Sequence, residues 1–270
     1  MNNLLSAKVQ LQYMRPRQVE NAMRLFPVVY VPIGLIEWHG RHLPLGNDAI
    51  KAHAILVKCA EQFGGVVYPP IFYPHSPSCF SGKEELHPQE DDWKITMLTS
   101  LFNQIKEFTG TRVIIGVTGH NTGAQEAWIN RALEPVLADG TTAGIGVSEH
   151  TLSRCEESNS DHACKWETSN MMFFYPDLVD MSELGTKPMV PYNKELGYQG
   201  EFGYQGLTEG IFNGPDPRKH ASVEVGWRNV ELAAAAIGRK AKELLESLPE
   251  DQRAFRIHAG CISPKYGMQL

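Results

Sequence analysis

The chain has 270 residues, of which 42% are hydrophobic and 21% are charged. These totals fit a globular protein with a substantial core and exclude a disordered or fibrous chain. The net charge is -6 and no basic run stands out, so the expected partner is a small molecule and not a nucleic acid. No apolar stretch has the length of a secretory signal or a membrane span, which predicts a cytoplasmic protein without a membrane partner. The five cysteines form no CxxC pair, which disfavours a disulfide framework and a thiolate zinc site.

Predicted strands and helices alternate along the chain. Runs rich in β-branched residues predict strands at 28–35, 65–71, 112–118 and from 143 onward. Apolar residues at helical spacing predict helices at 49–63, 94–108, 125–138 and 225–248. This alternation indicates an α/β layered fold with a mainly parallel sheet, and no shift in composition divides the predicted single domain, 1–270.

A segment rich in glycine, proline and aromatic residues, 187–218, has no stable period. It predicts a long loop region. Long loops in compact domains often cover active sites.

The densest group of chemically capable residues follows the first predicted strand. Glu37 and His39 are two positions apart on a turning segment, and Asp48 returns after a loop that contains Gly46. Open parallel sheets place ligand sites at this edge, and carboxylates with an imidazole suit zinc, manganese and similar ions. The sequence therefore predicts a metal site here, with His42 either a further ligand or a supporting group.

A second group lies where another apolar strand ends. His120 stands in the glycine-flanked turn VTGHNTG, at the sheet edge where Glu37 is also expected. If the two strands are neighbours, the two loops converge. His120 is therefore predicted as a fourth metal ligand.

A third group is the segment SDHACKWETS, residues 160–169. We expect Glu167 to reach the metal and His162 to transfer a proton. Thr168 and Ser169 are placed to cap the helix predicted after them. Cys164 has no pattern of a general base around it, so it is not expected to be a nucleophile.

Together these three groups resemble the pattern of the creatininase (creatinine amidohydrolase) family. The family pattern has Glu-x-His-Gly-x-His-Leu-Pro with a following Asp, then Gly-His, then His-Ala-Gly-x-x-Glu-Thr-Ser. The corresponding positions in this chain are Glu37, His39, Gly40, His42, Leu43, Pro44, Asp48, Gly119, His120, His162, Ala163, Glu167, Thr168 and Ser169. The ordered match spans about residues 28–180.

The resemblance implies a three-layer α/β/α domain, often a hexamer, with a centre for one or two divalent ions. Zinc is the expected ion, with manganese or iron as alternatives. One ion would be held by Glu37, Asp48 and His120. The other would be held by His39, the bridging Asp48 and a further carboxylate. The implied chemistry is metal-assisted hydrolysis in which His162 donates a proton to the leaving atom.

Departures from the family pattern bear on the further carboxylate and on the substrate. Creatininase has a glutamate two residues after the histidine of the glycine-rich turn, where this chain has Thr122, so Glu167 is the expected replacement. The Trp-Asp pair that encloses creatinine is also missing from the stretch 158–161, and the segment Asn-His-Phe-Pro-Gly-Thr is replaced at 85–90. Creatinine is therefore not the expected substrate.

Three functions remain open from the sequence. The first is hydrolysis of a C–N bond in a small cyclic amide or a related compound. The second is C–C hydrolysis of a sugar-like cyclic diketone, of the 3-dehydro-scyllo-inosose hydrolase type, which also begins at a carbonyl but leaves a carbanion. The third is a metal-binding protein without catalysis, which the change at Thr122 favours and the retained His162 and Glu167 oppose.

Overall fold

A computed structural model describes residues 5–74, 91–121, 123–186 and 214–256 of the chain. Thr122, the segment 85–90 and most of the predicted loop region 187–218 lie outside these ranges. The end of that region is described, and a short helix, α6 (Pro217–His220), begins there. None of the described helices is long and apolar enough to cross a membrane.

Within the described residues, five strands form one sheet, and every pairing among them is parallel. The strand order is β2-β1-β4-β5, and β3 also pairs with β1. The strands are β1 (Val28–Ile36), β2 (Val66–Val67), β3 (Ile71–Pro74), β4 (Val113–Thr118) and β5 (Ala143–Ser148). β1 is therefore a central strand, and its carboxyl end is adjacent to that of β4.

Helices cover both faces of this sheet. The longer helices are α1 (Pro16–Leu25), α2 (Asn47–Phe63), α3 (Asp91–Thr109), α4 (Gly123–Leu137), α5 (Lys165–Phe174) and α7 (Val223–Ser247). Short 3-10 helices lie at Ala7–Val9, Leu11–Tyr13, Pro176–Leu178, Met181–Leu184 and Glu250–Gln252. The predicted α/β/α architecture with a mainly parallel sheet is confirmed.

The central strands are hydrophobic on both faces, and their side chains alternate between two cores. Tyr30 and Ile115 point into the core shared with α2 and α7, whereas Val31 and Ile114 point into the core shared with α3 and α4. Side chains two positions apart share a face of a strand, so a strand covered on both sides needs apolar residues at every position. This explains why the run VVYVPIGLI reads as continuous and not as alternating.

The second predicted strand, 65–71, is wrong as a single element. The predicted range covers β2 and the first residue of β3, and these two strands pair with different parts of β1. Pro69 and Pro70 lie between them and have no N–H to donate to a ladder, so the strand is interrupted there.

Candidate metal centre

The predicted ligands converge at the carboxyl edge of the sheet. Glu37 follows directly after β1, and His39 lies two residues further along the same segment. His120 comes two residues after β4, the neighbour of β1. Asp48 is in the first turn of α2, where the chain returns from this edge into the helical layer. The third carboxylate, Glu167, is in the first turn of α5.

These side chains form two overlapping groups that could each hold a metal ion. One group is Glu37, Asp48 and His120, and the other is His39, Asp48 and Glu167, with the ligand atoms of each group within 4.8 Å of one another. Asp48 belongs to both groups. A carboxylate shared in this way would contact both ions if both groups were occupied.

The distances place the imidazoles against the carboxylates. His120 Nδ1 is 2.8 Å from Glu37 Oε1 and 3.4 Å from Asp48 Oδ2. His39 Nε2 is 3.0 Å from Asp48 Oδ1 and 3.5 Å from Glu167 Oε2. All of these side chains are nearly inaccessible to solvent except His120, whose exposed fraction is 12%.

The donor set fits a divalent ion. Neither oxygen of Asp48, nor Nε2 of His39, makes a hydrogen bond of normal geometry within the described residues, although all three atoms are buried. Buried polar atoms normally have partners, and an unpaired buried carboxylate is costly. The Asp48 oxygens and His39 Nε2, which face one another in this way, are suited to a shared cation such as zinc or manganese.

The mutual electrostatics of the ligands also favour bound positive charge. Burial alone would lower the pKa of His39, but the carboxylates of Asp48, Glu167 and Glu37 outweigh it and raise that pKa to about 9. Burial would also lower the pKa of His120, but the carboxylates of Glu37 and Asp48 outweigh it and raise that pKa well above the ordinary value. Burial opposes ionisation of Asp48, yet the two imidazoles hold its pKa well below the ordinary value. The same carboxylates that favour protonated imidazoles would therefore favour a bound cation.

His162 lies beside this cluster but is more accessible, with a side-chain exposure of 22%. Its Nε2 donates to the carbonyl oxygen of Trp38 at 2.9 Å, because a carbonyl can only accept. Nδ1 is then turned toward the cluster, 3.9 Å from Glu37 Oε1. The ring is also close enough to Glu37 and His39 to form a third possible ligand group. The geometry therefore permits either proton transfer or metal binding by His162.

His42 is not part of any of these ligand groups. Its Nε2 is 2.9 Å from Oγ1 of Thr168, on the turn that carries Glu167. Burial, with the nearby charge of His39, lowers the pKa of His42 to about 4. Of the two roles open to it, the supporting one fits this placement.

The start of α5 differs from the sequence prediction, in which Thr168 and Ser169 cap the helix. The helix begins at Lys165, so both residues lie inside it. The carboxylate of Asp161 accepts from the backbone N–H of Trp166 at 2.8 Å and of Glu167 at 3.1 Å. Asp161 therefore satisfies two N–H groups in the first turn of the helix. It can reach them because the chain folds back at Ala163, whose φ is 54°.

Sequence reasoning missed two buried residues that contact the cluster, Lys51 and Glu149. Lys51 donates to Glu149 Oε1, to Glu167 Oε1 at 2.9 Å and to the carbonyl oxygen of Gly119 at 3.2 Å. A signal was present, because Lys51 lies one turn after Asp48 in the predicted apolar helix 49–63. Glu149 follows β5 directly, at the same sheet edge as the other groups.

The parallel three-layer fold and the carboxylate–imidazole cluster at its sheet edge define the class of molecule as an α/β protein with a candidate metal centre. The family model described as creatinine amidohydrolase matches residues 12–245. The chain therefore belongs to the creatininase family.

Three curated relatives show how this chain resembles other members. A mycofactocin precursor peptide peptidase of Mycolicibacterium smegmatis is 32% identical over 169 residues, which are 59% of this chain and 63% of that protein. Creatinine amidohydrolase of Pseudomonas putida is 24% identical over 182 residues, 60% of this chain and 69% of that protein. A 3-dehydro-scyllo-inosose hydrolase of Thermotoga maritima is 26% identical over 116 residues, 42% of this chain and 36% of that protein. The match thus spans less than two thirds of the peptidase.

Solved structures of creatininase share the fold. A manganese form has a TM-score of 0.67 with 19% identity and covers 87% of this chain and 98% of its own. A Zn–Zn form of a creatininase variant has a TM-score of 0.65 with 19% identity and covers 87% and 97%.

Proposed function

We propose that this protein is a metal-dependent hydrolase that cleaves a C–N bond in a small cyclic amide or a peptide-like amide. One observation carries the proposal: two buried ligand groups share Asp48, and the accessible His162 stands next to them. Family membership supports it, because the names of the curated relatives describe hydrolases or a peptidase.

Each residue has a role that follows from its position. Glu37, Asp48 and His120 would hold one ion, and His39, Asp48 and Glu167 a second. A bound divalent ion supplies an acidified water and polarises a carbonyl of the substrate. The Nε2–H bond to Trp38 leaves Nδ1 of His162 to carry a proton to the leaving nitrogen. The buried walls of the cluster exclude bulk water from the ligand atoms, which strengthens each charge interaction there.

Zinc or manganese is the proposed ion. Both are compatible with carboxylate and imidazole ligands. The two creatininase structures described above are a manganese form and a Zn–Zn form, which supports the same pair of ions here.

The substrate is proposed from the chain's departures and its relatives. The segment 158–161 lacks the Trp-Asp pair expected of a creatinine site, which argues against creatinine. One relative is named a peptidase, and a peptide bond is an amide, so this relative supports an amide substrate here. A cavity of about 360 Å³ lies against the backbone that carries His39, lined by Trp38, Gly40, Arg41, Leu43, Leu45 and Glu183. Its walls are apolar apart from Arg41 and Glu183, whose side chains pair at 3.7 Å, so the cavity suits an apolar group of the substrate.

The C–C hydrolase remains a second candidate because one relative bears that name, although the match covers only 42% of this chain. The two reactions differ at the leaving atom. An amide needs a proton on nitrogen, which His162 is placed to give, whereas a carbanion needs an adjacent carbonyl in the substrate. The position of His162 therefore favours the amide.

A screen of the metal-loaded protein tests the proposal. The panel contains cyclic amides, formamides, short peptides, creatinine and a cyclic diketone, each with zinc and with manganese, and the chelated protein is the control. We expect release of an amine from at least one amide, lost on chelation. A bound ion without turnover on any compound would favour the metal-binding protein without catalysis, and the absence of any bound ion would overturn the proposal.

A further inference from the structure

Lys51 is a fully buried lysine that faces a proposed cation site. Its Nζ donates to Glu149 Oε1, to Glu167 Oε1 and to the carbonyl oxygen of Gly119. An ammonium has three N–H donors, and each one therefore has an acceptor. A lysine with this set of contacts is held in one position.

We propose that Lys51 is a positioning residue that, with Glu149 as its counter-ion, holds the Glu167 carboxylate in place for the second metal ion. The inference rests on the proposed metal-dependent function. In this inference the Lys51 ammonium supports the metal centre by contacting Glu167 and is not itself a metal ligand.

The two carboxylate oxygens of Glu167 have different contacts. Oε1 accepts from Lys51 at 2.9 Å, and Oε2 accepts from the backbone N–H of Ala163 at 2.7 Å while it lies 3.5 Å from His39 Nε2. The terminal torsion of a glutamate is broad on its own. The ammonium fixes this torsion, so that Oε2 points toward the group formed by His39 and Asp48.

Glu149 explains how a lysine can lie so near a cation site. A buried charge is costly unless it is paired, and an ammonium would also repel a metal ion. The carboxylate of Glu149, which is fully buried, cancels the charge of Lys51. The negative charge of Glu37, Asp48 and Glu167 therefore remains for the ions.

The sequence shows why the orientation of Glu167 matters for the second ion. Thr122 stands where creatininase has a glutamate, so Glu167 is the carboxylate left to complete the second group. Its orientation is consequently the feature on which the second ion depends.

The test compares ion affinities of the full-length parent with those of the double variant Lys51→Met/Glu149→Gln. The double variant removes the ammonium but keeps the net charge, so that the electrostatic attraction for the ions changes little. Binding of zinc and of manganese is measured by competition with a chelating dye. Loss of a residue that orients a metal ligand typically weakens binding by about 10–100-fold. We expect a loss of that size in one of the two binding steps and an unchanged affinity in the other.

Two further variants assign the effect. Glu167→Gln should remove the same binding step that the double variant weakens. Lys94→Met makes the same chemical change at another buried lysine, one that lies over the rings of Trp128 and Tyr73, and it should leave both affinities unchanged. Thermal unfolding in chelator reports whether each variant folds, and Lys51→Met alone is expected to be the least stable because it leaves Glu149 unpaired.

The outcomes separate this inference from the proposed function. Two unchanged affinities in the double variant, or an equal loss at both steps, would overturn the role of Lys51 and leave the two-ion hydrolase intact. A parent that binds a single ion would also overturn it, while a one-ion hydrolase would still stand. A parent that binds no ion would instead remove the proposed function itself.

Discussion

Gly119 and Asp48 are in direct backbone contact. A Cβ atom added to Gly119 would lie 2.1 Å from the carbonyl oxygen of Asp48, and one added to Gly34 would lie 2.1 Å from the backbone nitrogen of Ala49. The first turn of α2 therefore rests on the ends of β1 and β4, with no room for a side chain between them. This contact brings the carboxylate of Asp48 between His39 and His120.

Substitution of Gly119 by alanine should disturb the metal centre directly. A methyl group cannot fit against the Asp48 carbonyl, so that the start of α2 must shift away from β4. We expect a loss of about 1–3 kcal/mol in the free energy of unfolding and a weaker hold on both ions. The matched control is Gly123→Ala, because nothing lies within 4 Å of a Cβ at that position. Equal metal content in both variants, measured by elemental mass spectrometry, would contradict the tight contact.

Asp48→Asn should remove both ions, because one carboxylate serves both ligand groups. The amide keeps the shape of the side chain but loses the charge. We expect metal content close to zero and no detectable turnover in the amide screen. Loss of only one ion would show that Asp48 does not bridge, and full retention of metal would mean that the centre lies elsewhere.

His162→Asn separates the two roles that the geometry allows for this ring. As a proton carrier, His162 is dispensable for metal binding, so that the variant should keep its ions and lose about 10²–10⁴-fold in kcat. Metal analysis and steady-state rates are measured on the same sample. A variant that loses an ion together with its activity would identify His162 as a ligand in the group with Glu37 and His39.

Metal binding should release protons near neutral pH. The pKa of His39 is raised to about 9 by the surrounding carboxylates, so its ring carries a proton at pH 7 that an incoming ion must displace. Affinity for that ion should rise about tenfold per pH unit up to about pH 9, and then level off. Calorimetry in buffers of different ionisation enthalpy measures the protons released. No release at pH 7 would mean that the ring is already neutral.

The raised pKa of His39 should also make the stability of the metal-free protein fall as the pH rises. The folded-state pKa of His39 lies above its ordinary value of 6.5, so the charged ring stabilises the fold. That contribution is fully present below about pH 6.5 and is lost as the pH rises through about 9. Urea unfolding in chelator at pH 6.5 and pH 9.5 should therefore show lower stability at the higher pH, whereas the metal-loaded protein should not lose stability in this way.

The fold could be predicted from the sequence because its signals are local. The run 28–36 is apolar without interruption, and α2 and α7 have apolar faces at helical spacing, so their type and approximate limits follow from pattern alone. The interruption of the second predicted strand at Pro69 could be predicted only if its partner strand were known. Local pattern does not say which part of a neighbour a short strand pairs with.

The candidate centre could be predicted only in part. Glu37, His39 and Asp48 are close in sequence, so their convergence needs one turn of chain. The contacts of Lys51 with Glu149 and Glu167 join residues 98 and 116 positions apart, which no spacing rule reveals. The cap of α5 was misassigned because Thr168 and Ser169 match the usual residue types, whereas the actual acceptor, Asp161, reaches back across the bend at Ala163.

Asp161 should make the metal-free protein less stable as the pH rises. Burial raises the pKa of this carboxyl, the charge of Glu167 adds to that effect, and the two backbone N–H bonds offset it only partly, which gives a pKa of about 7. Because the unfolded carboxyl ionises near its ordinary pKa of about 3.9, the neutral form is favoured in the fold. Its contribution is therefore present below about pH 4 and is lost as the pH rises through about 7, by at most about 4 kcal/mol.

Asp161→Asn isolates this contribution, because the amide cannot ionise. It keeps one oxygen to accept an N–H at the start of α5, so that a constant loss of about 1 kcal/mol is expected at every pH. The difference in unfolding free energy between variant and parent, measured by urea titration in chelator, should shift in favour of the variant between pH 4 and pH 8. A difference that stays constant over this range would show that Asp161 is ionised throughout, and that the two N–H bonds outweigh its burial.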